Sequence, residues 1–160
     1  MSGDARFEDG AERPLRLRAL DPDDLAVIAA LAQDAAFPGR EAVFDRKARR
    51  FAVLLNRFRW EDAAQARVAG RPFERVRSVL VIEDALSVQT RGIDPADGQA
   101  AHALLSLTME PGEDGTGRVV LALQGGGAIA VEVEALEVVL RDVTRPYAAP
   151  TGKAPAHPED

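Results

Sequence analysis

The feature that most limits the fold is a series of short β-type segments whose connections are too short to contain a crossover helix. From residue 42 onward, alternating or Val-rich runs are separated by turn-forming stretches such as EPGEDGTG and GGG. Parallel neighbours need a crossover of about a dozen residues or more, so these strands are expected to pair in antiparallel fashion. The predicted strands cover 15–18, 42–44, 50–58, 75–82, 86–91, 103–109, 118–124 and 128–133.

A helix is predicted near the N-terminus, in the segment DPDDLAVIAALAQDA. Asp21 is a good N-cap residue, Pro22 suits the first helical position, and two further aspartates favour the positive end of the helix dipole. Apolar residues then recur at helical spacing, which predicts an amphipathic helix over 22–35. Its apolar face is formed by Leu25, Ile28, Ala32 and Ala35.

A second helix is predicted at the end of the folded region, in the segment EALEVVLRDV. Leu136, Val139, Leu140 and Val143 have the spacing of one helix face, and Pro146 would end the helix. Two helices and seven to eight short strands indicate an α+β fold, built as a bent antiparallel sheet or a partly closed barrel. A run of strands ending in a helix is similar to a pleckstrin-homology-like barrel, from which the additional helix near the N-terminus departs.

Length and composition are those of one ordinary domain. The chain has 160 residues, 46% apolar and 29% charged, with a formal net charge of -6 and no cysteine. No apolar run approaches the ~20 residues that span a bilayer, and the acidic start MSGDARFEDGAERP is not typical of a signal peptide. We expect a soluble, cytoplasmic protein without membrane partners. One globular domain is expected over 14–145, with flexible tails at 1–13 and 146–160.

Four stretches together resemble a known family of small bacterial proteins. They are LRLRALDPDDLAVIAALAQDA, RRFAVLLNRFRWE, RVRSVLVIEDALSVQTRGID and GGGAIAVEVEALEVVLRDV. In one colinear pass over 15–145 they are similar to the family catalogued as domain of unknown function 2948, and NRFRWE and GGGAI are the most specific parts. The resemblance implies a bacterial protein but no activity, because the family has no assigned function whose residues could be transferred.

Residues able to perform catalysis or bind metal are scarce. A Ser–His–acid triad or a histidine metal site would depend on His102, because His157 lies in the proline-rich end. Glycines 125–127 stand between two predicted strands and lack the Lys and Ser/Thr of a phosphate loop, which favours a hairpin turn. Glu132 and Glu134 alternate with valines, as on the solvated face of a half-buried strand. We assign no catalytic residue, metal ligand or cofactor, and we expect a protein that is not an enzyme.

Positive charge is concentrated in the middle of the chain. Residues 46–77 contain ten basic and three acidic side chains, a local charge of +7, whereas both flanking regions are acidic. Arginines beside aromatic residues suit anionic or planar ligands, because guanidinium pairs with carboxylate or phosphate and aromatic rings stack. The candidate binding residues are Asn56, Arg57, Arg59, Trp60, Arg75, Arg77 and Arg91.

Two functions remain open. The favoured hypothesis is a non-enzymatic binding or interaction module, whose basic surface around Arg57–Trp60 and Arg75–Arg77 contacts an acidic protein or a second copy of the chain. The alternative is an accessory or small-molecule enzyme with a site of arginines and carboxylates. The same residues also have a structural explanation, in which Phe58 and Trp60 pack in the core and the arginines pair with acids of the chain. The net negative charge argues against general nucleic-acid binding.

Overall fold

Antiparallel strands make up most of the described chain. The computed structural model describes residues 13–149 and residue 155, in which 11 strands form one sheet. The strands are β1 (Arg16–Ala19), β2 (Ala36–Pro38), β3 (Ala42–Asp45), β4 (Arg50–Phe58), β5 (Glu74–Ile82), β6 (Ala85–Arg91), β7 (Ala101–Pro111), β8 (Gly117–Leu123), β9 (Ala128–Val133), β10 (Val138–Asp142) and β11 (Tyr147–Ala148). The helices are α1 (Pro22–Ala32), α2 (Trp60–Ala69) and a 3-10 turn at Gly39–Glu41. Neither of these two α-helices is long and apolar enough to cross a membrane.

The strands divide into two half-sheets. Hydrogen bonds join them in the order β1-β10-β5-β4-β2-β7-β8-β9-β6, with β3 on β4 and β11 on β5. We call β1, β10, β5, β4, β3 and β11 the first half-sheet and β7, β8, β9 and β6 the second half-sheet; β2 joins them because it pairs with both β4 and β7. The chain leaves the first half-sheet at Asp84, between β5 and β6. Its φ of 55° is a left-handed conformation that Asp tolerates better than most residues and that allows a sharp turn.

The apolar core combines the inward faces of both half-sheets. Alternation along the strands places Leu55 and Leu80 on the inner face of the first half-sheet, and Leu121 and Ile129 on that of the second. All four belong to one buried cluster. The α1 helix contributes Leu25, Ile28 and Ala32 to the same cluster.

The predicted N-terminal helix is confirmed as α1. The side chain of Asp21 accepts a hydrogen bond from the Asp24 N–H at 2.8 Å, and Pro22 is the first helical residue. The helix ends at Ala32, earlier than expected, and Ala35 belongs to the segment that leads into β2.

The predicted fold class is wrong, although the antiparallel sheet is confirmed. The sheet has 11 strands instead of seven or eight, and the segment expected to form a C-terminal helix contains β10. The described fold is therefore not a helix-flanked barrel of the pleckstrin-homology-like type. Val138 and Leu140 are buried whereas Val139 is partly exposed, so the segment alternates with period two. Both edges of β10 are hydrogen-bonded, to β1 and to β5, and this pairing outweighs the helical spacing of the apolar residues.

The second helix, α2, lies between the predicted strands 50–58 and 75–82, where no helix is predicted from the sequence. Glu61 and Asp62 occupy its first turn, and Gly70 ends it with a φ of 67°, a conformation that favours glycine. Its buried residues are Asp62 and Ala66, so the sequence carries no apolar stripe that would reveal a helix.

Most of the two segments expected to be flexible tails lies outside the described residues, as does His157. Of 1–13 the structure describes Arg13, and of 146–160 it describes 146–149 and residue 155. Tyr147–Ala148 pair with β5, and the Ala149 N–H donates to the Phe73 carbonyl at 2.8 Å. These described residues after Pro146 are therefore hydrogen-bonded to the rest of the fold.

The packing of α1 predicts a large cost for shortening Ile28. Its side chain is 1% exposed in the core cluster, so Ile28→Ala should lower the free energy of unfolding by about 2–5 kcal/mol through lost burial and a residual cavity. Val27 on the same helix is 53% exposed, and Val27→Ala should change the free energy of unfolding by about 0.5 kcal/mol at most. Urea denaturation of both variants measures the difference, and equal costs would show that α1 does not bury this face.

Candidate functional site

Arg57 is a buried residue, although it was expected on an exposed basic surface. On β4 the residues Phe51, Val53 and Leu55 face the core, and the alternation of the strand brings Arg57 to the same side. Its side chain is 0% exposed. A charge at this depth is tolerated when oppositely charged or hydrogen-bonding groups surround it.

Acidic groups from two elements surround the Arg57 guanidinium. Glu61, in the first turn of α2, accepts hydrogen bonds from Nη1 at 2.9 Å and from Nη2 at 2.7 Å. Asp142 on β10 accepts from Nη2 at 2.9 Å, and the Ser78 hydroxyl accepts from Nε at 3.0 Å while donating to Asp142 at 2.7 Å. Asp142 also accepts the Leu15 N–H at 2.9 Å. Arg57 therefore connects β4, β5, β10, α2 and the chain that enters β1.

These acids determine the charge state of Arg57. Burial lowers the pKa of Arg57, but hydrogen bonds and Coulomb attraction from Glu61 and Asp142 outweigh it, and the pKa lies above its ordinary value. Arg57 is therefore a permanently charged group in the interior, and its hydrogen-bonding capacity is directed at groups of the chain itself.

The same pattern continues to Arg59, which is also buried. Arg59 forms an ion pair with Glu74 and lies 3.8 Å from a carboxylate oxygen of Asp62. Arg71 pairs with both oxygens of Asp62 at 2.7 Å, and this hydrogen bonding holds the pKa of Asp62 below its ordinary value. We call the connected set the buried charge network: Arg57, Arg59, Glu61, Asp62, Arg71, Glu74, Ser78 and Asp142.

Trp60 has a structural role at the start of α2. Its indole N–H donates to the Gln33 carbonyl at 3.0 Å, which joins α2 to the end of α1. Its ring packs edge-on against the ring of the buried Phe58, with the ring centroids 4.5 Å apart. The ring centroids of Phe73 and Phe58 are 5.6 Å apart. Trp60, Arg57 and Arg59 thus agree with the structural explanation considered for this segment.

Three other arginines lie on the outward side of the first half-sheet, and we call them the exposed arginine cluster: Arg16, Arg77 and Arg141. Arg16 on β1 is directly opposite Arg141 on β10. Arg77 on β5 is a diagonal neighbour of Arg141, whose direct partner on β5 is Val79. Directly opposed Cβ atoms in a sheet are about 4.5–5.5 Å apart and diagonal neighbours about 7–8 Å. No ion pair of these three side chains occurs within residues 13–149.

An open cavity of about 280 Å³ adjoins this cluster and contains two of the predicted site residues. Asn56 and Arg77 line it together with Arg40 and Glu41. The Asn56 Oδ1 atom is buried and finds no hydrogen-bond partner in the described part of the chain. Arg75 donates from Nη1 to the Asn56 carbonyl at 3.2 Å. The structure thus brings Asn56, Arg75 and Arg77 together. We call the cavity that Asn56 and Arg77 line the Asn56 cavity.

Arg91 does not join this group. It lies at the end of β6 in the second half-sheet, where it lines another cavity with Arg118 and Glu110. There Arg118 is paired with Glu132 at 2.7 Å. The candidate residues therefore separate into an interior set, an outward set on the first half-sheet, and Arg91.

The comparison with protein families agrees with the resemblance of the sequence. The family model described as "Protein of unknown function (DUF2948)" matches residues 15–157, which is nearly the whole chain. The chain belongs to the DUF2948 family. No curated protein and no solved structure matches it. The family description assigns no activity, so the function of this DUF2948 chain has to be argued from its geometry.

Among the described residues, the three side chains considered above for catalysis or metal binding, His102, Glu132 and Glu134, take part in packing or ion pairs. The His102 ring packs beside Phe37, with the ring centroids 5.7 Å apart. Glu132 is paired with Arg118, and Glu134 with Arg49. The described residues contain no group of three or more acids and histidines placed to hold a metal ion. What the exposed arginine cluster and the Asn56 cavity can do chemically is to bind anionic and hydrogen-bonding groups.

Three residues of these surfaces were not among the predicted site residues: Arg16, Arg40 and Arg141. The alternation of Arg16 with Leu15 and Leu17 indicated a strand, but its partner strand could not be identified from the sequence. Arg141 was missed because its segment has helical spacing and was expected to form a helix. Arg40 stands outside the basic segment, in a turn without a periodic pattern.

The buried charge network predicts that removing Arg57 is costly. Arg57→Met keeps an apolar side chain of similar length but leaves Asp142 and Glu61 without their cation, so the free energy of unfolding should fall by about 3–5 kcal/mol. Arg118→Met, at a pair that is 46% and 38% exposed, should cost about 1 kcal/mol at most. Chemical denaturation compares the two, and a loss under about 1 kcal/mol for Arg57→Met would show that the network does not stabilise the fold.

Proposed function

We propose that this DUF2948 protein is a non-enzymatic interaction module, whose exposed arginine cluster binds an acidic segment of a protein partner. The observation that carries the proposal is the direct opposition of Arg16 and Arg141 across β1 and β10. Like charges opposite each other on one face of a sheet destabilise it. An anionic partner between the two guanidinium groups would remove this repulsion and form charge-assisted hydrogen bonds.

Neighbouring arginines show that the chain pairs such groups elsewhere on the same half-sheet. Arg18, two residues after Arg16, donates to Glu137 at 2.9 Å, and Arg50 donates to Glu83 at the same distance. The chain has 26 acidic residues, so acids are not in short supply. The unpaired arrangement of the exposed arginine cluster within the described residues is therefore a local property of this face, which supports a role in binding.

Apolar residues beside the arginines favour a protein partner. Directly opposed positions on the outward side of β3, β4, β5 and β10 carry small and branched apolar side chains that are half-buried or exposed. They are Val43, Ala52, Leu54, Val79, Val81 and Val139. Protein interfaces have an apolar core and are enriched in arginine, so this combination is compatible with a protein partner. The net charge of -6 argues against a nucleic acid, whose affinity depends on phosphate neutralisation.

The enzymatic alternative has one arrangement in its favour. Arg40, Arg77 and Glu41 border the Asn56 cavity, so arginines and a carboxylate do meet around one cavity. The cavity is open and shares Arg77 with the exposed arginine cluster, and we therefore interpret it as an extension of the binding face, in which Asn56 Oδ1 can accept a hydrogen bond from the partner.

The opposed arginines predict a variant that is more stable but binds the acidic partner more weakly. Arg141→Glu replaces a repulsive cross-strand pair with an attractive one, so the free energy of unfolding should rise by about 0.2–1 kcal/mol. The gain should shrink in 0.5 M salt, where the Debye length is about 4 Å. The Arg141→Glu variant should bind a peptide of alternating Glu and Leu about tenfold or more weakly than wild type does. ¹⁵N–¹H NMR titration measures both affinities.

Matched probes and a control variant complete this experiment. The Gln–Leu analogue of the peptide should bind wild-type protein about tenfold more weakly than the Glu–Leu peptide. Lys47→Glu changes the net charge equally at the exposed β3–β4 turn, and it should leave peptide affinity within about threefold of wild type. Equal affinity of wild type and a folded Arg141→Glu variant would contradict the proposal. The proposal would also be contradicted if the wild-type protein self-associated in sedimentation experiments and did not bind the peptide.

A further inference from the structure

A second cavity, of about 320 Å³, lies against the inner faces of the two half-sheets. Its walls are largely apolar and come from β3, β4, β6, β9, the 3-10 turn and the segment 92–100. The residues that the argument uses are Phe44, Phe51, Val88, Ile93, Arg40 and Asp94. We call this space the Phe44 cavity.

Strand register explains why the cavity forms here. Phe44 is directly opposite Phe51 at the free edge of β3, and Val88 lies on β6, opposite Val131 of β9. Strands β3 and β6 both line the cavity but are not paired with each other in the strand order. Unpaired edges leave a gap that side chains fill in part, and here Phe44 and Ile93 pack against the core while still lining open space.

The wall formed by the segment 92–100 is held by hydrogen bonds. The Gly39 N–H donates to the Ala100 carbonyl at 3.1 Å, and the Arg40 N–H donates to the Gly98 carbonyl at 2.9 Å. The Asp94 Oδ1 accepts from the Ala96 N–H at 2.9 Å, which fixes a turn in the segment. The cavity is therefore preformed, as small-molecule sites usually are.

Arg40 gives the cavity a cationic border. Its side chain is 57% exposed and forms an ion pair with Glu41, whose carboxylate oxygen lies 4.0 Å from Nε, too far for a hydrogen bond. The planar guanidinium can therefore take a carboxylate with two parallel hydrogen bonds. Asp94 also borders the cavity, but one of its oxygens is engaged by the Ala96 N–H.

We propose that the Phe44 cavity binds a small organic carboxylate with an aromatic or branched aliphatic body. The body lies against Phe44, Phe51, Val88 and Ile93, and the carboxylate pairs with Arg40. The volume suffices for about ten water-sized groups at roughly 30 Å³ each, which fits a ligand of that size. The apolar walls of this site lie on the opposite side of the first half-sheet from the exposed arginine cluster, and its border residue Arg40 is shared with the Asn56 cavity.

The experiment uses 3-phenylpropionate as the probe, with 3-phenylpropanol and 2-phenylethylamine as analogues that replace the carboxylate. In NMR titrations of the full chain, the carboxylate should bind about tenfold more tightly than the alcohol, and the amine should bind no better than the alcohol. Shifts should appear in the methyl signals of Val88 and Ile93. Equal binding of all three compounds, or a preference for the amine, would overturn the proposal.

Two variants locate the site. Arg40→Gln should remove the preference for the carboxylate, whereas Arg67→Gln, at an exposed position on α2, should keep it. Val88→Phe fills the cavity and should abolish binding of all three compounds; if it does not fold, Arg40→Gln remains decisive. Arg40 also borders the Asn56 cavity. Shifts of the Asn56 side-chain amide without shifts of the Val88 and Ile93 methyl groups would therefore assign the probe to that cavity and refute the present proposal.

Discussion

The burial of the Arg57 guanidinium is the interaction on which the rest of the structure depends. A charge in the interior costs several kcal/mol unless it has well-placed partners, and the partners here come from β10, β5 and α2. Asp142 accepts in addition the N–H of Leu15, so the entry into β1 is tied to the same point. An arrangement that moved β10 or α2 away would leave charges buried and unpaired, and we infer that the network helps to select this strand order.

The buried charge network separates the arginines that are paired inside the fold from those that are exposed on its surface. Arg57, Arg59 and Arg71 are neutralised by acids within the fold, whereas Arg77 remains on the outward side of the first half-sheet. There it is joined by Arg16 and Arg141, which come from the two ends of the described chain. Strand pairing thus assembles the face that we propose for binding. Of its three arginines, Arg77 alone belongs to the basic segment 46–77.

Features with local causes could be predicted from the sequence. The cap at Asp21 and the spacing of Leu25 and Ile28 identified α1, and the short connections identified antiparallel pairing. β10 was missed because Leu136, Val139 and Leu140 also fit a helix, and the competing strand pairs lie far away in sequence. α2 was missed because it buries almost no apolar surface.

The candidate site was also predictable only in part, because some of its residues have partners that are far away in the sequence. Asn56, Arg75 and Arg77 lie on neighbouring strands joined by one connection, and the pairing of β4 with β5 places them close together. Arg57 was expected at the surface because its main acidic partner on the sheet, Asp142, is 85 residues away. A local charge count cannot identify such a partner. The Phe44 cavity has no sequence signature, since its walls come from four strands and the segment 92–100, which are far apart in the sequence.

The most direct test of this account is a double-mutant cycle between Arg57 and Asp142. Arg57→Met, Asp142→Leu and the double variant are compared with wild type by chemical denaturation. If the pair is a coupled buried unit, the double variant should be more stable than the sum of the single losses predicts, by about 2 kcal/mol or more, because neither charge is then left alone. Losses that add within about 0.5 kcal/mol would contradict the account, since they would show that the two side chains stabilise the fold independently.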